Sequence, residues 1–318
     1  MKKFAFLFPG QGAQYSSMGK DFFDTFAIAR HTFEEAEDIL AFKISDIIFN
    51  GSEEELKQTK HSQLAIFVNS VAILKTINQQ LPELVPYACA GLSLGEYTAL
   101  YASQKIDFAS ALRLVRDRAY FMNDACEKSS GKMAAVMGIT AKELEELLSP
   151  LANSHQVWVA NYNCPGQTVI SGTQSGVEYA TEFLKKNGAK RVIPLQVHGA
   201  FHSGLMMPAQ EKLAPKINKV SLEESSIKIV MNTPGDFVES QDEIKNYLIK
   251  QVTSSVRWEQ SVNAMELHGI DSYIEIGCGK TLANMNKKIG TKAPTKSIDK
   301  VIDLDVLIND LEEVGCSI

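Results

Sequence analysis

The chain has 318 residues, of which 45% are hydrophobic and 22% charged, and its net charge is −6. A chain of this length buries roughly three-quarters of its unfolded surface in its own core, so it needs neither disulfide staples nor a structural metal to fold. Its negative field excludes general affinity for nucleic acid, and an anionic partner must find a local basic patch.

Five cysteines, Cys89, Cys126, Cys164, Cys278 and Cys316, are odd in number, widely spaced and without a C-x-x-C pair. That pattern argues for reduced thiols in the cytoplasm, with no metal bound. No stretch approaches the ~20 apolar residues of a membrane span. Lys2 and Lys3 followed by Phe4 to Phe8 imitate a signal peptide, but the apolar run stops at Pro9-Gly10. It reads as a buried first strand. After it comes Phe8-Pro9-Gly10-Gln11-Gly12-Ala13-Gln14, where two glycines flank Gln11. This is either a structural turn or a close backbone approach to a ligand, with N–H groups available for an oxyanion. No G-x-x-x-x-G-K-[ST] phosphate loop is present.

The mostly apolar run Val85 to Ala90 leads into Gly91-Leu92-Ser93-Leu94-Gly95, and a helix is expected from about Glu96. Strand, small-residue turn and helix are the context of a nucleophile elbow, in which the serine hydroxyl is exposed at a helix N-terminus. The next helix, Phe108 to Ala125, carries an apolar stripe of Ala111, Val115, Met122 and Ala125, and Arg118 occupies the remaining position of that stripe. A guanidinium on a core-facing stripe needs a carboxylate. Either an internal acid such as Glu96 or Asp117 supplies it, or an acidic ligand does.

Across most of the chain apolar strands alternate with amphipathic helices, which predicts an α/β fold with a mostly parallel sheet. One segment departs from this. Met133 to Gly138, Val157 to Asn163, Gln167 to Ser171 and Arg191 to Val197 read as strands, and Thr140 to Leu151 and Thr173 to Lys186 as helices. That βαββαβ order is the ferredoxin-like unit. It predicts a small domain over 129–198 inserted into a body of 1–128 and 199–318, with a cleft between.

A serine nucleophile needs a base. His202, in Gly199-Ala200-Phe201-His202-Ser203, stands where the chain re-enters the body and competes with His198. Ser93, Asp236 and His268 offer a rival triad in the order serine, acid, histidine.

Taken together, FPGQGAQ, GLSLGEYTAL at 91 to 100, Arg118, NYNCPGQTVISG at 161 to 172, GAFHS at 199 to 203, QVTSSVRW at 251 to 258 and EIGCGKTL at 275 to 282 resemble malonyl-CoA:acyl-carrier-protein transacylases over nearly the whole chain. The resemblance implies an α/β-hydrolase-like body carrying the ferredoxin-like insertion. It also implies Ser93 as nucleophile, His202 and not His268 as base, a backbone carbonyl of Gln251 orienting the histidine, oxyanion donors at Gln11 and Leu94, and Arg118 holding the malonyl carboxylate. The chain departs from the common pattern at Leu92 (often histidine), at Cys278 (usually proline) and at Asn232-Thr233-Pro234-Gly235. The implied activity is transfer of malonyl from malonyl-CoA to an acidic acyl carrier protein in fatty acid synthesis, by a cytoplasmic monomer that binds no cofactor, membrane or nucleic acid. A trans-acting polyketide-type acyltransferase, an acyl hydrolase and a non-catalytic carrier-binding module are the alternatives. Two basic clusters could dock the carrier: Lys185, Lys186, Lys190 and Arg191, or Lys280, Lys287 and Lys288.

Overall fold

The computed structural model describes residues 2–197 and 199–313, without the side chains of 152, 153 and 313. His198 and Cys316 lie outside the described residues. The strands are β1 (Phe4–Phe8), β2 (Ala88–Gly91), β3 (Gly131–Met137), β4 (Val157–Cys164), β5 (Gln167–Thr173), β6 (Arg191–Pro194), β7 (Lys228–Met231), β8 (Asp236–Val238), β9 (Val256–Arg257), β10 (Ser272–Ile276) and β11 (Thr295–Ile298). They make a six-stranded sheet in the order β11-β10-β1-β2-β7-β8 and a five-stranded sheet in the order β6-β3-β5-β4-β9.

The larger sheet is parallel apart from its edge strand β8, which runs antiparallel to β7. Its centre explains the uninterrupted apolar run at the N-terminus. Phe6 and Phe8 pack into the layer on one face, and Ala5 and Leu7 into the layer on the other. A strand covered on both faces has no polar side to show. The helix Thr59–Gln80 is buried over most of its length and on every side; it is a central helix, not a surface one. Phe108–Lys128 is amphipathic. It starts at Asp107, whose side chain accepts from Ser110 N at 2.9 Å, and its buried face includes Ala111, Val115, Arg118, Met122 and Ala125.

The smaller sheet has its own apolar core, which includes Val136, Leu144, Ile170 and Leu184. The strands β3 to β6 are mutually antiparallel where they pair. Two sequence expectations shift here. The single helix expected from Thr140 to Leu151 is broken into Ala141–Leu148 and Leu151–His155, because Pro150 has no N–H to continue the helical ladder. The last strand ends at Pro194, short of Val197. Leu195 N still donates to Met133 O at 2.9 Å, after which the chain leaves the sheet and Leu195, Gln196 and Val197 turn to line a cavity. The fifth strand, β9, comes from the C-terminal part of the chain and pairs in parallel with β4, Asn161 opposite Val256 and Tyr162 opposite Arg257.

Candidate active site

The loops that build the site leave the carboxyl ends of adjacent parallel strands, where open α/β sheets bind ligands. Phe8 at the end of β1 is in register with Gly91 at the end of β2, and Leu92 N donates to Phe8 O at 3.0 Å. The chain then turns so sharply that Ser93 adopts φ 52°, in the left-handed region. Both flanking glycines are obligatory. A Cβ on Gly91 would lie 2.0 Å from the Gly95 carbonyl, and one on Gly95 would lie 2.1 Å from Phe8 O. The helix Gly95–Ala102 starts directly after the turn.

Asn232, just beyond β7, holds this elbow from the side. Its Oδ1 accepts from Ser93 N at 2.6 Å and its Nδ2 donates to Gly91 O at 2.7 Å.

His202 also has a left-handed backbone, φ 56°, and its N–H is bonded to Val252 O at 3.0 Å. Its Nδ1 faces two carbonyl oxygens, Gln251 O at 2.8 Å and Ser254 O at 3.2 Å. Carbonyls only accept, so the proton belongs on Nδ1 and Nε2 presents a lone pair. That lone pair meets the Ser93 hydroxyl, with Oγ and Nε2 2.8 Å apart. Burial, and after it the charge of Arg118, pulls the imidazole down to about 4. The ring is therefore a neutral base at neutral pH.

Arg118 is 1% exposed. Its Nη1 donates to Gln63 Oε1 at 2.5 Å, and its Nη2 to Ser93 Oγ and to Gln251 Oε1, both at 2.9 Å. Its Nε is buried without a hydrogen-bond partner. Among the described residues no carboxylate lies within ion-pair distance of it. Asp117 pairs with Arg116 at 3.3 Å and Lys216 at 3.5 Å, and Glu96 is reached only through Gln251, whose Nε2 donates to Glu96 Oε2 at 2.6 Å. Of the two readings open in the sequence, direct pairing to Glu96 or Asp117 is not what forms. A buried cation with an unsatisfied donor is left beside Ser93.

Leu94 follows Ser93 directly in the chain. Gln11 lines the cavity at Ser93, and its side chain reaches Thr59 and Gln63. Neither the Gln11 nor the Leu94 backbone N–H has a protein acceptor among the described residues.

The rival triad does not assemble. His268 Nδ1 bonds Ala264 O at 2.9 Å, its ring lies 4.2 Å from that of Phe237, and Asp236 accepts from Phe237 N. Sequence reasoning passed over Gln63, took Asn232 only as a loop irregularity and weighed Glu96 only as an ion-pair partner. The one available signal was a carboxylate in the first turn after the elbow; Gln63 shares its buried helix with Thr59, Ser62, Asn69, Ser70 and Thr76 and did not stand out.

Two cavities reach His202. One, of 390 Å³, is lined by Gln11, Ser93, Asn161, Asn163 and Phe201 among others. The second, of 440 Å³, is lined by Trp158, Tyr162, Thr233 and Arg257 among others. Among the described residues no cluster of three or more histidine, cysteine or acidic side chains could hold a metal ion, and no helix is long and apolar enough to cross a membrane.

Residues 5–302 match the family model described as Acyl transferase domain. The chain is 40% identical over 314 residues, 98% of each chain, to the malonyl CoA-acyl carrier protein transacylase of Bacillus subtilis. Its structure is similar to the crystal structure of MCAT from Streptococcus pneumoniae, with a TM-score of 0.92, 39% identity and coverage of 97% and 100% of the two chains. It is also similar, at a TM-score of 0.93 and 32% identity over 97% and 100% of the chains, to a malonyl-transacylase in complex with a type II polyketide acyl-carrier protein.

Proposed function

The chain belongs to the malonyl CoA-acyl carrier protein transacylase family of acyl transferases, and from that premise we propose that it moves a malonyl group from malonyl-CoA to the phosphopantetheine thiol of an acyl carrier protein through an ester on Ser93, in fatty acid synthesis. The observation that carries this reading is the convergence on one hydroxyl of a neutral histidine lone pair, Ser93 Oγ to His202 Nε2 at 2.8 Å, and a guanidinium with no carboxylate of its own, Arg118 Nη2 at 2.9 Å.

In the first half-reaction His202 Nε2 takes the Ser93 proton as Oγ attacks the thioester carbonyl. The backbone N–H groups of Gln11 and Leu94 receive the developing oxyanion. The imidazolium is steadied by the carbonyls of Gln251 and Ser254 at Nδ1, and its Nε2 proton goes to the departing coenzyme A thiolate. In the second half-reaction the same nitrogen takes the proton of the carrier thiol as its sulfur attacks the malonyl ester, and returns that proton to Ser93 Oγ as the Ser93 oxygen leaves. One site serves both steps, so the kinetics are ping-pong. Arg118 takes the free malonyl carboxylate, which supplies the counter-charge it lacks and satisfies donors left open by the protein.

Residues 129–198 act as a small domain inserted into a catalytic body of 1–128 and 199–318, a division supported by the separate core of β3 to β6. The same reading has the protein act as a cytoplasmic monomer that binds no cofactor.

Incubating the protein with malonyl-CoA labelled in the malonyl group tests the reading. Label should stay on the wild-type protein, be absent from Ser93→Ala, and pass to added carrier. Prompt release of free malonate would make the protein a hydrolase, and failure to label would make it a binding module. Carriers of fatty acid and polyketide pathways compared in the same assay identify the acceptor.

A further inference from the structure

Behind the nucleophile lies a carboxyl group that the mechanism above does not use. Glu96 is fully buried. Its Oε1 accepts from Asn232 N and its Oε2 from Gln251 Nε2, both at 2.6 Å. Each partner in turn grips the reacting groups. Asn232 bonds Ser93 N and Gly91 O. Gln251 donates from Nε2 to Ser93 O at 2.8 Å, accepts at Oε1 from Arg118, and offers its backbone oxygen to His202.

The direction of these bonds follows from the end groups. Arg118 can only donate. A carboxylate can only accept. The Gln251 amide between them is therefore held with its oxygen toward Arg118 and its NH2 toward Glu96 and Ser93 O, and this orientation aims the guanidinium at Ser93 Oγ. A flipped amide would set donor against donor at Arg118, and acceptor against acceptor at both Glu96 and Ser93 O. The two donors received by Glu96 are those of an ionised carboxylate, which opposes the upward push that burial exerts on it.

We propose that Glu96 is a positioning residue for acyl transfer: its carboxylate fixes the polarity of a Glu96–Gln251–Arg118 relay and, through Asn232 and Gln251, holds the strained Ser93 backbone and the His202 ring in register. The proposal rests on the reading of Ser93, His202 and Arg118 given above. It assigns Glu96 no contact with substrate.

A charge-neutral swap tests it. In Glu96→Gln the new NH2 meets a donor whichever way the amide points, the NH2 of Gln251 or the N–H of Asn232, and in Gln251→Glu two carboxylates face each other. Either change breaks the relay, and misplacement on the scale of an ångström should slow formation of the malonyl ester on the order of 100-fold. In the double variant Glu96→Gln with Gln251→Glu, a donor again faces an acceptor between positions 96 and 251 and at Arg118, and only at Ser93 O, where the Gln251 NH2 stood, do two acceptors meet. It should form the ester at least about tenfold faster than either single variant, a coupling that independent sites do not show. Melting temperatures measured in parallel separate misfolding from mispositioning. A double variant no faster than the slower single, or a Glu96→Gln enzyme with wild-type rate, overturns the proposal. Should the single variants not fold, ¹⁵N spectra of the wild-type protein decide: the Gln251 side-chain amide must exchange slowly with solvent, and fast exchange overturns the proposal. Ser93→Ala is the control for the underlying reading, since an ester that still forms on it refutes the site itself, whereas a dead Ser93→Ala with no rescue by the swap refutes only the relay.

Discussion

Ser93 and His202 face each other with both backbones in the left-handed region, at φ 52° and 56°, and with Oγ and Nε2 2.8 Å apart. For residues with a Cβ this conformation costs roughly 1–2 kcal/mol each, and it persists only where the surroundings over-determine it. At Ser93 these are the Asn232 side chain and the close approach of Gly91 to Gly95. At His202 they are the bond of its N–H to Val252 O and the two carbonyls on Nδ1. The reactive pair is built from two strained turns more than 100 residues apart in the chain, brought together by the sheet.

Replacing His202 measures this pair. His202→Ala should lower the rate of ester formation by roughly 10⁴-fold, while His268→Ala, whose ring packs on Phe237, should leave it unchanged. Single-turnover labelling of Ser93 is the measurement, and the reverse pattern would restore the triad with Asp236.

The pH profile should show two separate acid limbs. His202 is drawn down to about 4 by burial and by Arg118, so it remains a competent base far below the ordinary histidine range. Glu96 is pushed up to about 7 by burial against the opposing effects of Asn232, Arg118 and Gln251, with Tyr97 the other titratable group beside it. A gentle fall in rate is expected through about 7 as Glu96 takes a proton, with a steep fall only toward about 4. The first limb should vanish in Glu96→Gln. The two groups act oppositely on stability. The unfolded chain protonates histidine first, so this contribution is complete above the ordinary histidine pKa and fades as pH falls toward about 4. The folded chain protonates Glu96 first, so folding gains as pH falls from about 7 toward the ordinary glutamate value. Melting temperature should therefore vary less with pH than the rate does.

Substrate choice should follow Arg118. If Arg118 holds the malonyl carboxylate as proposed, Arg118→Ala removes a charge-assisted pair that acetyl-CoA cannot make, an expected loss of ~2–5 kcal/mol in malonyl transfer. Acetyl transfer should hold or rise. Arg118→Lys should recover little, because a point charge cannot replace the planar fork. The two kcat/KM values and the melting temperature are measured together; equal losses for both substrates with a large fall in stability would make Arg118 part of the scaffold.

Carrier docking should be electrostatic and local. Lys280, Lys287 and Lys288 are exposed at the start and end of the helix Thr281–Ile289, whose Thr281 and Met285 line the cavity at Ser93. Lys185, Lys186, Lys190 and Arg191 are exposed on the small sheet's side of the molecule. Charge reversal at the first cluster should raise the carrier KM and weaken its dependence on salt, with little change for malonyl-CoA. Reversal of both clusters without effect on carrier kinetics would reject electrostatic docking.

Local chemistry in the sequence determined a good deal. The strand at Phe4–Phe8 was legible because a run without polar residues suits a doubly covered strand. The elbow was legible because only small residues allow strand to turn into helix around Ser93, and Arg118 stood out because it interrupts an apolar stripe. Periodicity also ordered the small sheet's elements, although Pro150 broke one helix in two and the last strand ended at Pro194, earlier than expected. What periodicity records is which face of an element is buried. It does not record which buried faces and loops meet. His202 could be preferred to His198 or His268 only by family resemblance, since its partner lies 109 positions away. The pairing of β9 with β4, the closure of Arg118 onto Gln63 and Gln251 in place of an acid, and the grip of Glu96 on Asn232 and Gln251 were decided by tertiary structure, because each joins groups from separate elements whose distance is set by how helices and strands pack, not by their order along the chain.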